Sequence, residues 1–161
     1  MNTWFSKNLP RTRIELAVAT GVAGALSLYA ARFLKLPQGY WAAISSFIVL
    51  QSSVAATLSA ARGRMIGTAI GAVMGAIFVR YVGAHPLWLG LAVVLTVLLC
   101  QGLGLEDSYR LACVTVAIVM IVNSANSAWV TAGDRFLEVS LGILVAVLVA
   151  GIMEHKGRVS R

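Results

Sequence analysis

The chain has 161 residues, of which 59% are hydrophobic and only 12% charged, with a formal net charge of +7. Soluble domains carry about twice that charged fraction, so this length holds too few polar residues to cover a water-facing surface, and the surplus apolar surface must face lipid. A nucleic-acid-binding role is excluded by the same reading, because the basic residues are split among segment ends and form no continuous patch.

Apolar runs near the 20 residues needed to cross a bilayer fall at 14–34, 40–61, 65–84, 86–105, 111–130 and 136–153. They predict an all-α fold: a polytopic integral membrane protein, one six-transmembrane-helix bundle over 1–161. The first run follows Lys7, Arg11 and Arg13, as a signal peptide does. It is too long for a signal h-region and lacks a small-residue cleavage site, so it reads as a spanning helix. Small residues align along it at Ala17, Gly21 and Ala25, and Glu15 lies near its inner end, with Arg11 in reach.

The second run opens on Tyr40 and Trp41 and places Gln51, Ser52 and Ser53 near its middle, with Ser45 and Ser46 one to two turns away. Amide and hydroxyl donors here could line a path for a carboxylate or simply bond neighbouring helices. Ser52, Ala56 and Ala60 form a second small column. Arg62 and Arg64 read as the connection to the third run. Arg64 could attract an anion or anchor to lipid.

The third run repeats glycine at 63, 67, 71 and 75. In lipid, helices associate by close packing rather than by the hydrophobic effect, so interfaces collect small residues. Gly63, Gly67, Gly71 and Gly75 therefore form a bare groove, flanked by Thr68, Ala72 and Ala76 and opposed by Ile66, Ile70, Val73 and Ile77. The groove packs the bundle or receives a second subunit. Arg80 closes the run about 24 Å beyond Arg64 and can snorkel to the outer headgroups or draw anions to the outer mouth.

The fourth run follows His85 and Pro86, and the fifth carries Thr115, Asn123 and Asn126 on one face, with Ser124 and Ser127 nearby. That stripe could face substrate or merely mark the helix end. The sixth begins near Arg135 and Glu138, spaced for an ion pair, and aligns Gly142, Ala146 and Ala150. Glu15 and Glu138 are the carboxylates inside predicted helices, so they are the candidates for proton coupling.

The positive-inside rule places Lys7, Arg11, Arg13, Arg62, Arg64, Arg110, Lys156, Arg158 and Arg161 in the cytoplasm, against Arg32, Lys35, Arg80 and Arg135 outside. Both termini are then cytoplasmic. Trp41, Trp88 and Trp129 fall at outer ends and Trp4 before the first helix, an aromatic-belt distribution. Cys100 and Cys113 read as small buried residues, with no metal site or disulfide expected. His85 and His155 are at opposite faces, and neither a catalytic set nor a phosphate-cradling loop is present, so no enzyme activity and no cofactor are expected.

The stretch "YWAAISSFIVLQSSVAATLSAARGRMIGTAIGAVMG" resembles the fusaric acid resistance and aromatic acid exporter family. The matches are Tyr40, Trp41 and Ala42; Val49, Leu50, Gln51 and Ser53; and Arg64, Gly67, Thr68 and Gly71, with Arg135, Glu138 and Gly142 similar to the family's closing helix. Ser52 stands where the family often has proline, which leaves a kink in the second helix open. The resemblance implies export of small organic anions, by analogy aromatic carboxylates, across a bacterial inner membrane, with proton coupling. It strengthens the pathway reading of Gln51 and suggests that Trp41 stacks an aryl substrate; with Ser53, Arg64, Thr68, Asn123 and Asn126 these are the candidate residues of the anion pathway. Large family members are similar to two such membrane halves plus soluble regions, so this chain, with one half, is expected to form a parallel homodimer or higher homo-oligomer. A passive anion channel, as the distantly similar aluminium-activated malate transporters suggest, is one rival reading. A non-transporting membrane scaffold that binds a separate periplasmic or cytoplasmic partner subunit is the other.

Overall fold

The computed structural model describes the backbone of residues 11–122 and 127–159, and side chains over 13–122 and 127–155. Six helices occupy the described residues: α1 (Arg11–Phe33), α2 (Tyr40–Val49), α3 (Val54–Tyr81), α4 (Pro86–Gly102), α5 (Tyr109–Val122) and α6 (Ala128–Val159). Segments Arg13–Phe33, Val54–Tyr81 and Ala128–His155 are long and apolar enough to cross a membrane, while α2, α4 and α5 are shorter apolar helices.

The element boundaries correct the expected ones in the middle of the chain. The run 40–61 is not one helix: α2 stops at Val49, and Leu50 turns extended (φ −64°, ψ 123°). The run from Val54 to Tyr81 is instead one continuous 28-residue helix. Arg62 and Arg64 therefore lie inside a helix rather than in a connection, which removes them from the count of basic loop residues. Trp129 likewise opens α6 instead of closing the fifth helix.

No proline marks the break at Leu50–Ser53. It persists because side chains take over the backbone donors that a broken helix leaves unpaired. Thr57 Oγ1 accepts from Gln51 N at 3.0 Å. Ser53, the N-cap of α3, accepts from Ala56 N at 3.3 Å. Glu154 Oε2 accepts from Val54 N at 3.1 Å, a contact 100 residues apart in sequence. Thr57 is fully buried and also donates to Ser53 O at 2.8 Å. Thr57→Val should therefore orphan the Gln51 N–H and lower stability by about 1–3 kcal/mol, read as an earlier unfolding midpoint in detergent; an unchanged midpoint would show that the break does not depend on this hydroxyl.

Contacts along α3 fix the topology. Val54 meets Glu154, Met65 lies beside Ser140, and Ala72 and Ala76 cluster with Ala128 and Ala132, so α3 and α6 are antiparallel over their length. Ser108 and Ala112 approach Gly67, Thr115 approaches Gly71 and Val119 approaches Gly75, so α3 and α5 run parallel. A side chain on the α3 groove would be obstructed: a Cβ at Gly71 would collide with the Ala112 carbonyl oxygen and approach Thr115 Cβ at 2.7 Å. The groove is thus filled by α5 of the same chain, not by a second subunit.

On α6, Gly142 lets the α2 backbone approach at Ala42. The small columns Ala17–Gly21–Ala25 of α1 and Ser52–Ala56–Ala60 behave otherwise: Ala17, Gly21, Ala25, Ser52 and Ala56 are exposed and Ala60 is partly covered. The buried face of α1 is instead Ala19, Ala23, Ser27 and Ala31. Leu16 of α1 and Met153 of α6 pack on one cluster with Ala23 and Ala150, so the start of α1 and the end of α6 lie at the same end of the bundle. Val18, Leu26, Leu95, Leu98, Leu144 and Leu148 are among the large apolar residues left on the outside, the arrangement of a bundle whose solvent is acyl chain.

Candidate functional site

Where α2, α3 and α6 meet, the bundle interior is polar. On α3, Arg64 sits one turn below Thr68, on the same stripe as Ala72 and Ala76, which pack against α6. Glycine and alanine around this stripe leave room for the guanidinium, which is only 2% exposed. Its Nη2 donates to Ser45 Oγ of α2 at 3.3 Å, and Ser45 lies directly against Gly142 of α6.

On α6, Arg135 continues the stripe of Ala128 and Ala132. It is 2% exposed, and Glu138, one turn on, is 0% exposed. Arg135 Nη2 lies 2.7 Å from Glu138 Oε2. The pair is therefore charge-matched and dry, unlike the solvated ion pair that an i,i+3 spacing on a helix surface would form. The other carboxylate oxygen, Oε1, accepts from the Gln38 backbone N at 2.7 Å. Gln38 Oε1 in turn accepts from Tyr40 Oη at 2.6 Å and Trp41 Nε1 at 3.3 Å. The Trp41 ring lies under the Arg135 guanidinium, with Cζ 5.4 Å from the centroid, a cation–π contact. The α1–α2 connection is thus tied to α6 through both a charge and an aromatic face.

What this interior lacks is hydrogen-bond partners. Six buried side-chain N and O atoms among the described residues have none, and five belong to this seam: Arg64 Nε, Thr68 Oγ1, Arg135 Nε and Nη1, and Glu138 Oε2, which meets Arg135 by charge but out of hydrogen-bond alignment. Each such atom costs about 1–3 kcal/mol, more when charged. Two buried guanidinium groups with open N–H donors are the donor set that a carboxylate accepts best.

Of the residues singled out from sequence, Trp41 and Glu138 meet at Arg135, Arg64 and Thr68 are buried on α3 with Arg64 bonded to Ser45 of α2, and Gly142 admits the α2 backbone. Gln51 and Ser53 lie elsewhere: Gln51 is exposed at the break and Ser53 caps α3, at the end of the bundle where Glu154 sits. Glu15 is on the exposed side of α1, away from the seam. Asn123 and Asn126 lie outside the described residues. Arg80 is at the exposed end of α3, with Cζ 5.9 Å from the Tyr81 ring centroid.

Gln38 and the open donors of Arg135 were not identified from sequence. The one available signal was the Arg135–Glu138 spacing, which reads equally as a surface pair. A surface cleft lined by Ser59, Gly63, Ile66 and Gly104–Ser108 lies elsewhere, and Glu106 and Asp107 make it repellent to anions.

The family model for aromatic acid exporter family member 1 matches residues 15–153. UPF0421 protein YgaE of Bacillus subtilis (strain 168) is 29% identical over 134 residues, covering 83% of this chain and 35% of that protein. The uncharacterized transporter YdhK of Escherichia coli (strain K12) is 26% identical over 167 residues, covering 94% of this chain and 25% of that protein. The chain therefore spans about a third and a quarter of the lengths of these curated relatives. No solved structure matches the chain.

Proposed function

The chain belongs to the aromatic acid exporter family, and from that premise we propose that it carries small organic anions, aromatic carboxylates foremost, out across a bacterial inner membrane. The observation that supports this reading is the seam of α2, α3 and α6, where Arg64 and Arg135 hold unsatisfied N–H donors in a dry interior. Charged side chains at membrane depth are costly, by about 2.5–3.5 kcal/mol each on insertion scales, and a transported carboxylate accounts for their presence. Apolar walls and the Trp41 ring suit an aryl group. Glu138, the carboxylate touching Arg135, is the candidate for proton coupling; Glu15 has no place in the seam.

The reading includes parallel assembly of copies of the chain, as a homodimer or higher homo-oligomer with cytoplasmic termini, and is supported by both ends of the bundle lying on one side. The glycine groove of α3 is already filled by α5, so subunits meet through another face.

Uptake of benzoate into proteoliposomes tests the reading. Arg64→Ala should reduce saturable uptake at least tenfold, since a hydrogen bond to a charged group contributes about 1.5–3 kcal/mol. Gln51→Ala should leave uptake unchanged, because that side chain lies at the exposed break. Loss in Gln51→Ala with retention in Arg64→Ala would move the pathway away from this seam.

A further inference from the structure

We propose that the α1–α2 hairpin is a gate over the buried arginines, held shut by Glu138, and that a carboxylate anion opens it by competing with Glu138 for Arg135. The inference rests on the organic-anion reading above and adds to it the element that moves.

The chain contains this hairpin twice. Leu34, Leu36 and Tyr40 of the α1–α2 connection recur as Leu103, Leu105 and Tyr109 between α4 and α5, each 69 positions on. The backbone repeats as well. Leu36 N donates to Ala31 O at 3.0 Å and Leu105 N to Cys100 O at 2.8 Å, and the residues between the leucines, Lys35 and Gly104, are both left-handed, at φ 54° and 68°. In the long helices, Arg64 and Gly71 of α3 recur as Arg135 and Gly142 of α6, 71 positions on. Because α3 and α6 are antiparallel, the units α1–α3 and α4–α6 are inverted copies. Each hairpin packs on the long helix of the other unit: a Cβ at Gly71 would lie 2.7 Å from Thr115 Cβ, and one at Gly142 would lie 2.9 Å from Ser45 Cβ.

The two seats differ. Helix α5 lies on three successive glycines: Gly67 against Ser108 and Leu111, Gly71 against Ala112 and Thr115, and Gly75 against Val119. That seat is bare packing with no charge to release. On α6, Gly142 matches Gly71, but Glu138 stands in place of Gly67 and Ala146 in place of Gly75. A carboxylate therefore ties this hairpin down: Glu138 Oε1 accepts from Gln38 N at 2.7 Å, while Oε2 lies 2.7 Å from Arg135 Nη2. The hairpin is held through Glu138 and not through Asp134, the half-buried carboxylate that acts on both members of the pair by charge.

With the hairpin shut, Glu138 occupies one edge of Arg135, and Nε and Nη1 have no partner. Both Glu138 oxygens belong to one planar group, so an anion that takes Arg135 turns Glu138 off Gln38 too. A carboxylate thus binds Arg135 better with the hairpin open than shut, and that difference is what shifts the equilibrium. Ser45 leaves with α2, which uncovers Arg64. Glu138 keeps its place in the proton-coupling reading, because a proton on it releases Arg135 as the anion does.

The test combines hydrogen exchange of the purified full chain in detergent, read by mass spectrometry with and without benzoate, with benzoate uptake in proteoliposomes. Benzoate should speed exchange of the amides of 34–42 by about tenfold or more and leave those of 103–112, the second copy, unchanged. The double variant Gly63→Cys, Ser108→Cys pins the second hairpin: a Cβ at Gly63 lies 3.7 Å from Ser108 Oγ, within reach of a disulfide. Its uptake should agree within about twofold before and after oxidation, a comparison made on one sample and so insensitive to how much protein folds. Saturable uptake with both hairpins responding alike, or with neither responding, would overturn the gate and leave the transport reading standing; so would a tenfold loss of uptake on oxidation. No uptake and no response to benzoate would overturn the transport reading and this proposal with it.

Discussion

Replacing Glu138 alone with leucine should lower the unfolding free energy by about 3–5 kcal/mol, and replacing Arg135 alone should cost a similar amount. Each change strands the opposite charge where less than a few per cent of it is exposed. Replacing both together should recover most of the loss. Two leucines pack in place of two charges, and a buried pair replaced by apolar residues is often neutral or stabilising. The double variant should still fall short of wild type by about 1–3 kcal/mol, because the Gln38 N–H loses its acceptor.

Unfolding in mixed micelles of the two single variants and the double variant, read as a double-mutant cycle, measures this. Strict additivity would mean that the pair does not act as a unit. The same double variant separates folding from function. If Arg135 contacts the transported anion, a stably folded double variant has no saturable benzoate uptake. Full uptake in it would remove Arg135 from the pathway and reduce the pair to a clamp between α6 and the α1–α2 connection.

The parts of this fold that were readable in the sequence are those written locally. The four-residue glycine period at 63, 67, 71 and 75 announces a helix face meant for close backbone contact, and α5 lies on it. The scarcity of charge announces a lipid-facing bundle. The break after Val49 is not written locally. The apolar pattern runs on through it without glycine or proline, and one of the acceptors that sustains it, Glu154, arrives from the far end of the chain.

Arg64 reads as a loop residue for a related reason. Between two apolar runs a pair of arginines looks like a cytoplasmic loop, and only the packing of Ser45 and Gly142 against the same spot turns it into an interior cation. Arg135 and Glu138 were correctly paired by their spacing, but spacing carries no information about burial. The exposed columns on α1 and at the start of α3 make the same point in reverse: a small-residue stripe identifies a face that could be approached closely, not one that is.

Gly142→Ala should damage both the fold and the site, whereas Gly71→Ala should damage mainly the fold. A Cβ at Gly142 would collide with the Ala42 carbonyl oxygen and would lie 2.9 Å from both Ala42 C and Ser45 Cβ. Backbone cannot rotate out of the way as a side chain can, so α2 must move off α6. Overpacking of this kind costs about 1–3 kcal/mol. Ser45 moves with α2, and Ser45 is the residue whose hydroxyl orients Arg64. Gly71 contacts Ala112 and Thr115 of α5 instead, so its substitution pushes α3 off a helix that carries none of the seam's charged groups and leaves the α2–α6 contact beside Arg64 in place. A third variant, Gly21→Ala, has nothing within 4 Å of the added carbon and should be neutral or slightly stabilising, since alanine favours helix over glycine by up to about 1 kcal/mol.

The expected pattern is a similar drop in unfolding midpoint for Gly142→Ala and Gly71→Ala, no drop for Gly21→Ala, and a loss of benzoate uptake per folded molecule confined to Gly142→Ala. Equal uptake losses in Gly142→Ala and Gly71→Ala would mean that transport depends on the bundle as a whole and not on the α2–α6 contact that positions Ser45 beside Arg64.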